Sequence, residues 1–493
     1  MGETASGEQV VANPTYMADI RFFFEEIDIE HMGAKGIELG TYAGMKRNAL
    51  AVFAHTSPPN ADMPPEDDRK WSAERSQTFK NWIIAGYPVG TATEATAART
   101  MMAAAPERLR KNAATLSQPE IDKLTTAFRG IMAKPATDPG SYYSIASIHG
   151  LPQSYCLHHE DRYNPWHRVY LKMFEDALRA VPGCEDVTLP YWDFRGPVPA
   201  LLKSAPFDSY IVPVALPQPY PANYKTQRND QAVIDAQFAR RQVMEHFDLA
   251  LKQSLWGVSG VSGFQDESIA AHDGGHLSTG PTMADQNVAS YDPIFWFYHC
   301  NLDRHWLTWQ GNVGATTLSG FKSTLSGNTL WLTSGFNLLD PFATTADQTI
   351  DFGGIQYDKP ATVTGPAMAS FENQVGSMDA ARTFTIRRAP KVSIMVKDID
   401  RLNIPGSFVV QLLANNELVA ERAFFQPNKP RDCANCRKLG LVSVNFRVDQ
   451  DKVLDRKLSV AIEVPDHEGI GKRFPLSSVG NPTINARLLL EDG

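Results

Sequence analysis

Eight of the twelve histidines in this sequence fall in two clusters, four between residues 149 and 167 and four between 272 and 305. The first, HGLPQSYCLHHEDRYNPWHRVYL, carries His149, His158, His159 and His167 with Cys156 among them. The second places His272 and His276 in HDGGH, and His299 and His305 in DPIFWFYHCNLDRHW. Neutral imidazole is a ligand for zinc, copper and their neighbours, whereas magnesium, calcium and manganese favour oxygen donors. An all-imidazole set free of carboxylate therefore suits copper or zinc. Spacing does not choose between those two. A single histidine on an apolar helix face is ordinarily a core residue with its hydrogen bonds satisfied. Two triads, each with one histidine well placed on a helix, read as a two-metal centre.

The elements that must hold these rings follow from the flanking residues. Asn164 and Pro165 form a cap and first-turn pair, so WHRVYLKMFEDALRA is expected to be a helix starting near Trp166, with His167, Leu171, Phe174 and Leu178 on its inward face. His158 is half a turn out of phase with His167 and must come from the preceding loop, and His149 from a more distant part of it. His272 and His276 have the i, i+4 spacing that puts two imidazoles on one helical face. The glycines between them cost roughly 1 kcal/mol each in a helix, which ligation of a metal can offset. Asp292 caps a further helix with Pro293 at its first position; Phe295, His299, Leu302 and Trp306 form its inner stripe, with Asp303 one turn after His299 and placed to orient that ring. His305 points elsewhere.

At 493 residues the chain is long enough for several domains. Hydrophobic content of 43% with 21% charged residues is that of a globular protein, and a net charge of -8 without a basic stripe argues against nucleic acid as a partner. No apolar run reaches the roughly 18 residues of a membrane span. The start MGETASGEQVVANP lacks the basic and apolar parts of a signal peptide, so a cytoplasmic protein is expected. Five cysteines are too few and too irregular for a disulfide framework, which fits a reducing compartment.

Along the chain, residues 1–105 read as a helical extension broken by TSPPNADMPPEDD. A new segment opens at LSQPEIDKLTTAFRGIM, where Ser117 and Glu120 have the capping-box pattern and Ile121, Leu124, Phe128 and Ile131 follow at helical spacing. Residues 106–345 form the histidine-bearing domain and 346–379 a linker. From 380 to 493 the runs TFTIRR, KVSIMVKDI, SFVVQLLA, SVNFRV and LSVAIEV alternate as in an antiparallel β-sandwich.

Over residues 106–310, WHRVYL after His158, PYWD at Pro190–Asp193 and DPIFWFYHCNLDR resemble the type-3 copper proteins, that is, tyrosinases, catechol oxidases and their relatives. The resemblance implies a mainly α fold: a four-helix-bundle dinuclear copper core with an N-terminal helical extension and a C-terminal antiparallel β-sandwich. It implies that His149, His158 and His167 hold one copper and His272, His276 and His299 the other. Tyr298 stands where many relatives have a further histidine, which leaves the ligand set intact. Cys156 matches members in which that cysteine is joined to the ligating histidine, here His158, by a thioether. His159 is taken as a polar bystander.

The implied activity is that of a tyrosinase, which uses O2 to ortho-hydroxylate small monophenols and oxidise o-diphenols to o-quinones. A catechol oxidase or o-aminophenol oxidase without monophenolase activity is the alternative, and a hemocyanin-like oxygen carrier a more distant one. A zinc hydrolase lacks the carboxylate base expected beside a lone zinc. Asp273, directly after a ligand, is the candidate base for the phenol proton, with Glu267 or Gln265 holding a water. In FFQPNKPRDCANC, the resemblance casts Phe424 or Phe425 as an aromatic plug from a lid-like domain and Cys433 and Cys436 as copper-loading thiols. The N-terminal region is expected to be a helical cap or a contact in a homo-oligomer.

Overall fold

The computed structural model describes residues 9–90 apart from 25, 34–36, 38, 41, 59–60 and 66–68, together with 108–257, 263–325, 329–332, 337–352, 354–363, 391–465 and 471–489. The chain divides into two compact units. One gathers Met1–Lys111, Leu251–Phe264 and Asp303–Ala361; the other gathers Asn112–Ala250, Gln265–Leu302 and Thr362–Gly493. The expected boundary near residue 105, and the expected linker from residue 364 onward, lie outside the described residues. Among the described residues no helix is long and apolar enough to cross a membrane.

In the first unit, α1 (Glu26–Gly33), α2 (Tyr42–Thr56) and α3 (Ala73–Ile84) surround a core that includes Tyr16, Ile20, Phe24, Met45, Trp71, Phe79 and Trp82. Ser72 starts α3 by accepting a hydrogen bond from the Arg75 amide at 2.9 Å, the ordinary role of serine at that position. Two short strands, β1 (Arg108–Arg110) and β2 (Ile355–Tyr357), pair in parallel. Between them Arg110, fully buried, donates to Asp303 Oδ2 at 3.2 Å and to the Tyr357 hydroxyl at 3.0 Å. The Tyr357 hydroxyl donates in turn to Asp303 Oδ2 at 2.6 Å.

The second unit is helical with a β-rich end. Its helices are α4 (Gln118–Met132), α5 (Tyr142–His149), α6 (Tyr163–Arg179), α7 (Gln231–Arg240), α8 (Val243–Lys252), α9 (Phe264–Thr279), α10 (Pro281–Ala284) and α11 (Ile294–Val313), of which α8, α9 and α11 run on across the division between units. The capping box of α4 forms as expected, with Glu120 accepting from the Ser117 amide at 2.8 Å, and Leu124, Phe128 and Ile131 turn inward. α6 starts at Tyr163, so Asn164 and Pro165 lie within the first turn rather than capping it. Proline fits there because first-turn amides have no partner inside the helix. Phe174 of α6 stacks on Trp296 of α11 with centroids 3.6 Å apart, and Tyr170 donates to Ile145 O of α5 at 2.8 Å. These contacts fix α5, α6 and α11 against one another.

The remaining strands form two antiparallel sheets, in order β6-β3-β9 and β5-β4-β7-β8. They are β3 (Lys391–Asp400), β4 (Phe408–Ala414), β5 (Glu417–Phe424), β6 (Leu441–Asp449), β7 (Leu458–Pro465), β8 (Gly471–Phe474) and β9 (Thr483–Leu489). Ile394, Val396, Val410, Leu412, Val444, Phe446 and Ile462 form their shared core. The expected strand TFTIRR lies outside the described residues. Strands β5, β8 and β9 escaped the sequence reading. β5 carries Glu417, Glu421 and Arg422, which blur an alternating pattern.

The two glycines of HDGGH lie inside α9, and the structure supplies a reason for one of them. A Cβ on Gly275 would meet the Tyr298 hydroxyl at 2.1 Å and its ring at 2.9 Å. That hydroxyl donates to His272 O at 2.7 Å. Replacing Gly275 with alanine should gain helix propensity and still destabilise the protein, by roughly 1–3 kcal/mol of overpacking. Chemical denaturation checks this; unchanged or raised stability would mean that Tyr298 moves aside freely.

Candidate metal centre

Five of the six expected ligands sit on helices: His149 ends α5, His167 lies in the first turns of α6, His272 and His276 lie one turn apart on α9, and His299 lies on α11. His158 comes from the loop before α6, as its spacing requires. All six are buried. In the first triad the ring centroids of His149 and His158 are 5.1 Å apart, those of His158 and His167 5.4 Å, and those of His149 and His167 5.7 Å. In the second they are 4.4 Å for His272 and His276, 5.3 Å for His272 and His299, and 5.2 Å for His276 and His299. The triads adjoin, with His167 stacked on His299 at 4.5 Å and His158 on His272 at 5.3 Å.

The outer ring nitrogens set the tautomers. His167 Nδ1 faces Tyr163 O at 2.8 Å, His276 Nδ1 faces Met283 O at 2.7 Å and His272 Nδ1 faces Asp273 Oδ1 at 2.8 Å. Each of those oxygens only accepts, so the proton is on Nδ1 and Nε2 is left with a lone pair. Nε2 of His149, His158, His167 and His272 finds no hydrogen-bond partner although it is buried. Such orphans cost about 1–3 kcal/mol each unless something binds them. His276 Nε2 and His299 Nε2 stand 3.1 Å apart, close to the ~3.3 Å that separates two nitrogens on a tetrahedral ion with ~2.0 Å bonds. His272, His276 and His299 bring ligand atoms within 4.8 Å of one another, as do His149, His167 and His299, and His149, Cys156 and His158. The imidazole donor set fits a metal of the copper or zinc kind.

Burial, reinforced by the neighbouring imidazoles, holds His149, His158, His276 and His299 well below the ordinary histidine range and His167 at about 3. A neutral ring is the form that binds a metal.

Around this cluster the other expected residues take distinct places. Phe425 is fully buried and stacks on His276 with centroids 4.1 Å apart and planes at 23°, and it meets His158 and His272 edge-on. Phe424 faces the other way, stacked on His159 at 4.0 Å and on Phe408 at 4.9 Å. Asp273 is buried with both oxygens engaged: Oδ1 by His272, and Oδ2 by His159 Nε2 at 2.7 Å and the Phe425 amide at 3.1 Å. Burial raises its pKa, and the hydrogen bonds it accepts from the neighbouring rings more than reverse that, so it is ionised.

The Sγ of Cys156 accepts from Gln286 at 3.0 Å, and burial pushes its thiol up. Cys433 caps the short helix α12 (Ala434–Lys438), where its Sγ accepts from the Cys436 amide at 3.1 Å. Hydrogen bonding from Cys436 makes Cys433 the more acidic thiol of the pair. Asn435 of α12 donates to His158 O at 3.0 Å, which brings that helix against the ligand loop.

Four expectations need correction. Glu267 does not reach the cluster, because it lies about 140° around α9 from His272; its carboxylate meets His246 Nδ1 at 2.6 Å, and Arg422 meets that ring's other nitrogen at 2.6 Å. Gln265 donates to Glu160 O. Asp303 does not orient His299: its Oδ2 is held by Arg110 and Tyr357, and His299 Nδ1 has no hydrogen-bond partner. His159 is no bystander, since it lies between Asp273 and Phe424 with φ at +57°. Its contribution had no spacing signal, because it depends on a left-handed backbone conformation that few residues other than glycine adopt.

A pH dependence follows from the neutral cluster. The unfolded chain's histidines titrate near 6.5, so below that pH the unfolded state binds more protons and stability falls as pH falls. For His167 the window runs from 6.5 down to about 3, at up to about 1.4 kcal/mol per pH unit for each such histidine. Unfolding of the metal-free chain in denaturant, repeated from about pH 7 to about pH 5, should show a steep loss. A flat profile would mean that the rings are hydrated or charged.

A family model described as the common central domain of tyrosinase matches residues 139–255 and 216–312. A multi-unit hemocyanin of Enteroctopus dofleini is 30% identical over 227 residues, which are 41% of this chain and 7% of the octopus protein, so the likeness spans a small part of that relative. A tyrosinase of Aspergillus oryzae is 24% identical over 448 residues, covering 62% of this chain and 80% of the fungal one. Among solved structures, a tyrosinase from Burkholderia thailandensis aligns with TM-score 0.54 at 20% identity, covering 78% of this chain and 100% of the other. A functional unit of octopus hemocyanin aligns with TM-score 0.55 at 20% identity, covering 77% and 99%. Residues 139–312, which hold all six histidines, thus match the common central domain of tyrosinase, and tyrosinases and hemocyanins are what the chain resembles in sequence and fold.

Proposed function

We propose that this chain is a dinuclear copper oxidase of phenols that ortho-hydroxylates monophenols and oxidises o-diphenols to o-quinones. His149, His158 and His167 would hold one copper and His272, His276 and His299 the other, with α5, α6, α9 and α11 as the four-helix bundle around them. The observation that carries an oxidase over an oxygen carrier is the ring of Phe425 stacked on His276 at 4.1 Å. The space above the second triad takes a flat aromatic ring, the shape a phenol presents, and an oxygen carrier has no need of that shape.

Bound copper would supply the two-electron chemistry that couples O2 to phenol oxidation. The chain's own residues do the rest. Carbonyls of Tyr163 and Met283 and the Asp273 carboxylate hold three rings with Nε2 inward. The burial of all six rings excludes water. Cys156, grouped with His149 and His158, is positioned for a thioether to His158 that would restrain that ring. The C-terminal β-domain acts as a lid, with Phe425 in the place of substrate and Cys433 and Cys436 as thiols through which copper is delivered. O2 and small phenols are the partners.

The test is to load the full chain with copper, count the metal, and follow oxygen uptake with tyrosine and with catechol before and after proteolytic removal of the C-terminal domain. Two coppers per chain and uptake on both substrates after cleavage are expected. Uptake on catechol alone would make the protein a catechol oxidase; reversible oxygen binding without turnover in either form would favour the carrier.

A further inference from the structure

Asp273 receives three N–H donors from three different parts of the second unit. Oδ1 takes the ring proton of His272 at 2.8 Å; Oδ2 takes His159 Nε2 at 2.7 Å and the backbone amide of Phe425 at 3.1 Å. One donor belongs to the second triad, one to the loop of the first, and one to the segment that carries the plug. We propose that Asp273 is a positioning residue that clasps the lid to the metal centre: the same carboxylate sets the His272 ring for ligation and docks the Phe425 backbone over it. The inference rests on reading the histidines as a metal site, and it does not require that the site turn over phenols.

The chemistry of the acceptor makes the clasp specific. A carboxylate accepts at both ends, so it can meet three donors at once. A carboxamide, as in Asp273→Asn, accepts at one end and donates at the other. If its oxygen faced His159 and Phe425, its NH2 would face His272 Nδ1. That ring would then have to accept at Nδ1 and move its proton to Nε2, the buried nitrogen that has no hydrogen-bond partner. His272 would lose its lone pair for a metal. If the amide turned over, its NH2 would oppose the amide of Phe425 and the lid would lose its anchor. Asp273→Asn removes a charge and almost no volume, yet either orientation breaks one side of the clasp.

His159 completes the arrangement. Its ring meets the carboxylate edge-on through Nε2 and lies face to face with Phe424, with centroids 4.0 Å apart and planes at 19°. Phe424 is itself part of the sandwich core. A displacement of the lid therefore moves His159 and the Phe425 amide together, and both bear on Oδ2. By contrast, Asn428 of the same domain donates to the Tyr220 hydroxyl at 2.8 Å and to Asp285 Oδ2 at 3.1 Å, a lid contact that leaves Asp273 and the ligands alone.

The experiment uses the full chain and no phenol. Copper(I) affinity is measured anaerobically by competition with a chromogenic chelator, and hydrogen exchange is followed for the peptide that contains Phe425, with and without copper. In the unaltered chain, copper is expected to slow exchange of the Phe425 amide. In Asp273→Asn, copper affinity should fall at least tenfold or the Phe425 amide should exchange at least tenfold faster. Asn428→Ala should leave copper affinity within twofold. Affinity and exchange both unchanged in Asp273→Asn would overturn the proposal, and so would an equal loss of affinity in Asn428→Ala.

Should Asp273→Asn fail to fold, Phe425→Pro and Phe425→Ala serve from the lid side. Both delete the ring, and only proline deletes the N–H. The proline chain should exchange over β5 at least fivefold faster than the alanine chain; equal rates would sink the clasp. Absence of phenol oxidation would not touch these readouts, so the two readings fail separately.

Discussion

The structure depends on keeping six imidazoles buried and short of hydrogen bonds. A polar nitrogen in an apolar interior is unfavourable unless it is paired, and here four buried Nε2 atoms have no hydrogen-bond partner. Six such rings would not gather in a core selected only for stability. The surroundings hold them there by fixing what is behind each ring. Carbonyls of Tyr163 and Met283 take the outer protons of His167 and His276, and the Asp273 carboxylate takes that of His272. The inner face is thereby left electron-rich, as a set of metal ligands must be.

The packing around the cluster is correspondingly rigid and aromatic. Phe295 meets His149 at 4.7 Å and His299 at 4.2 Å, while Trp166 and Tyr170 back His149. Flat rings fill this volume without contributing charge, so the local dielectric stays low and protonation of the imidazoles stays unfavourable. The stack of Phe174 on Trp296 ties α6 to α11 beneath them. Gly275 belongs to the same logic. It gives up helix propensity so that Tyr298 can approach α9 and bind the His272 carbonyl.

Much of this was legible in the sequence, where the residue type itself carries the chemistry. The i, i+4 pair in HDGGH, the phase mismatch of His158 and the capping box at Ser117 each rest on local geometry, and each lies where the spacing puts it. The reading failed where a role depends on what a side chain meets across the fold. Glu267 is near His272 in sequence but on another face of the same helix, and it serves His246. Asp303 has the right spacing from His299, but Arg110 and Tyr357 claim its carboxylate, and both are distant in the chain. His159 gave no signal at all, because its placement depends on a left-handed backbone.

The pair Phe424–Phe425 shows how a neighbouring domain can aim a single ring. In a strand, successive side chains point to opposite faces. Phe424 is the last residue of β5, paired in register with Phe408 and stacked on it inside the sandwich. Its neighbour must then emerge on the opposite side, toward α9, where it covers His276. The alternation alone does not seat it, since a residue just past a strand end is free to turn. What seats it is its own amide, given to Asp273 because the ladder with β4 has ended and offers no acceptor there. The end of a strand, ordinarily a place of unmet backbone bonds, thus becomes the point where the sandwich grips the histidine cluster.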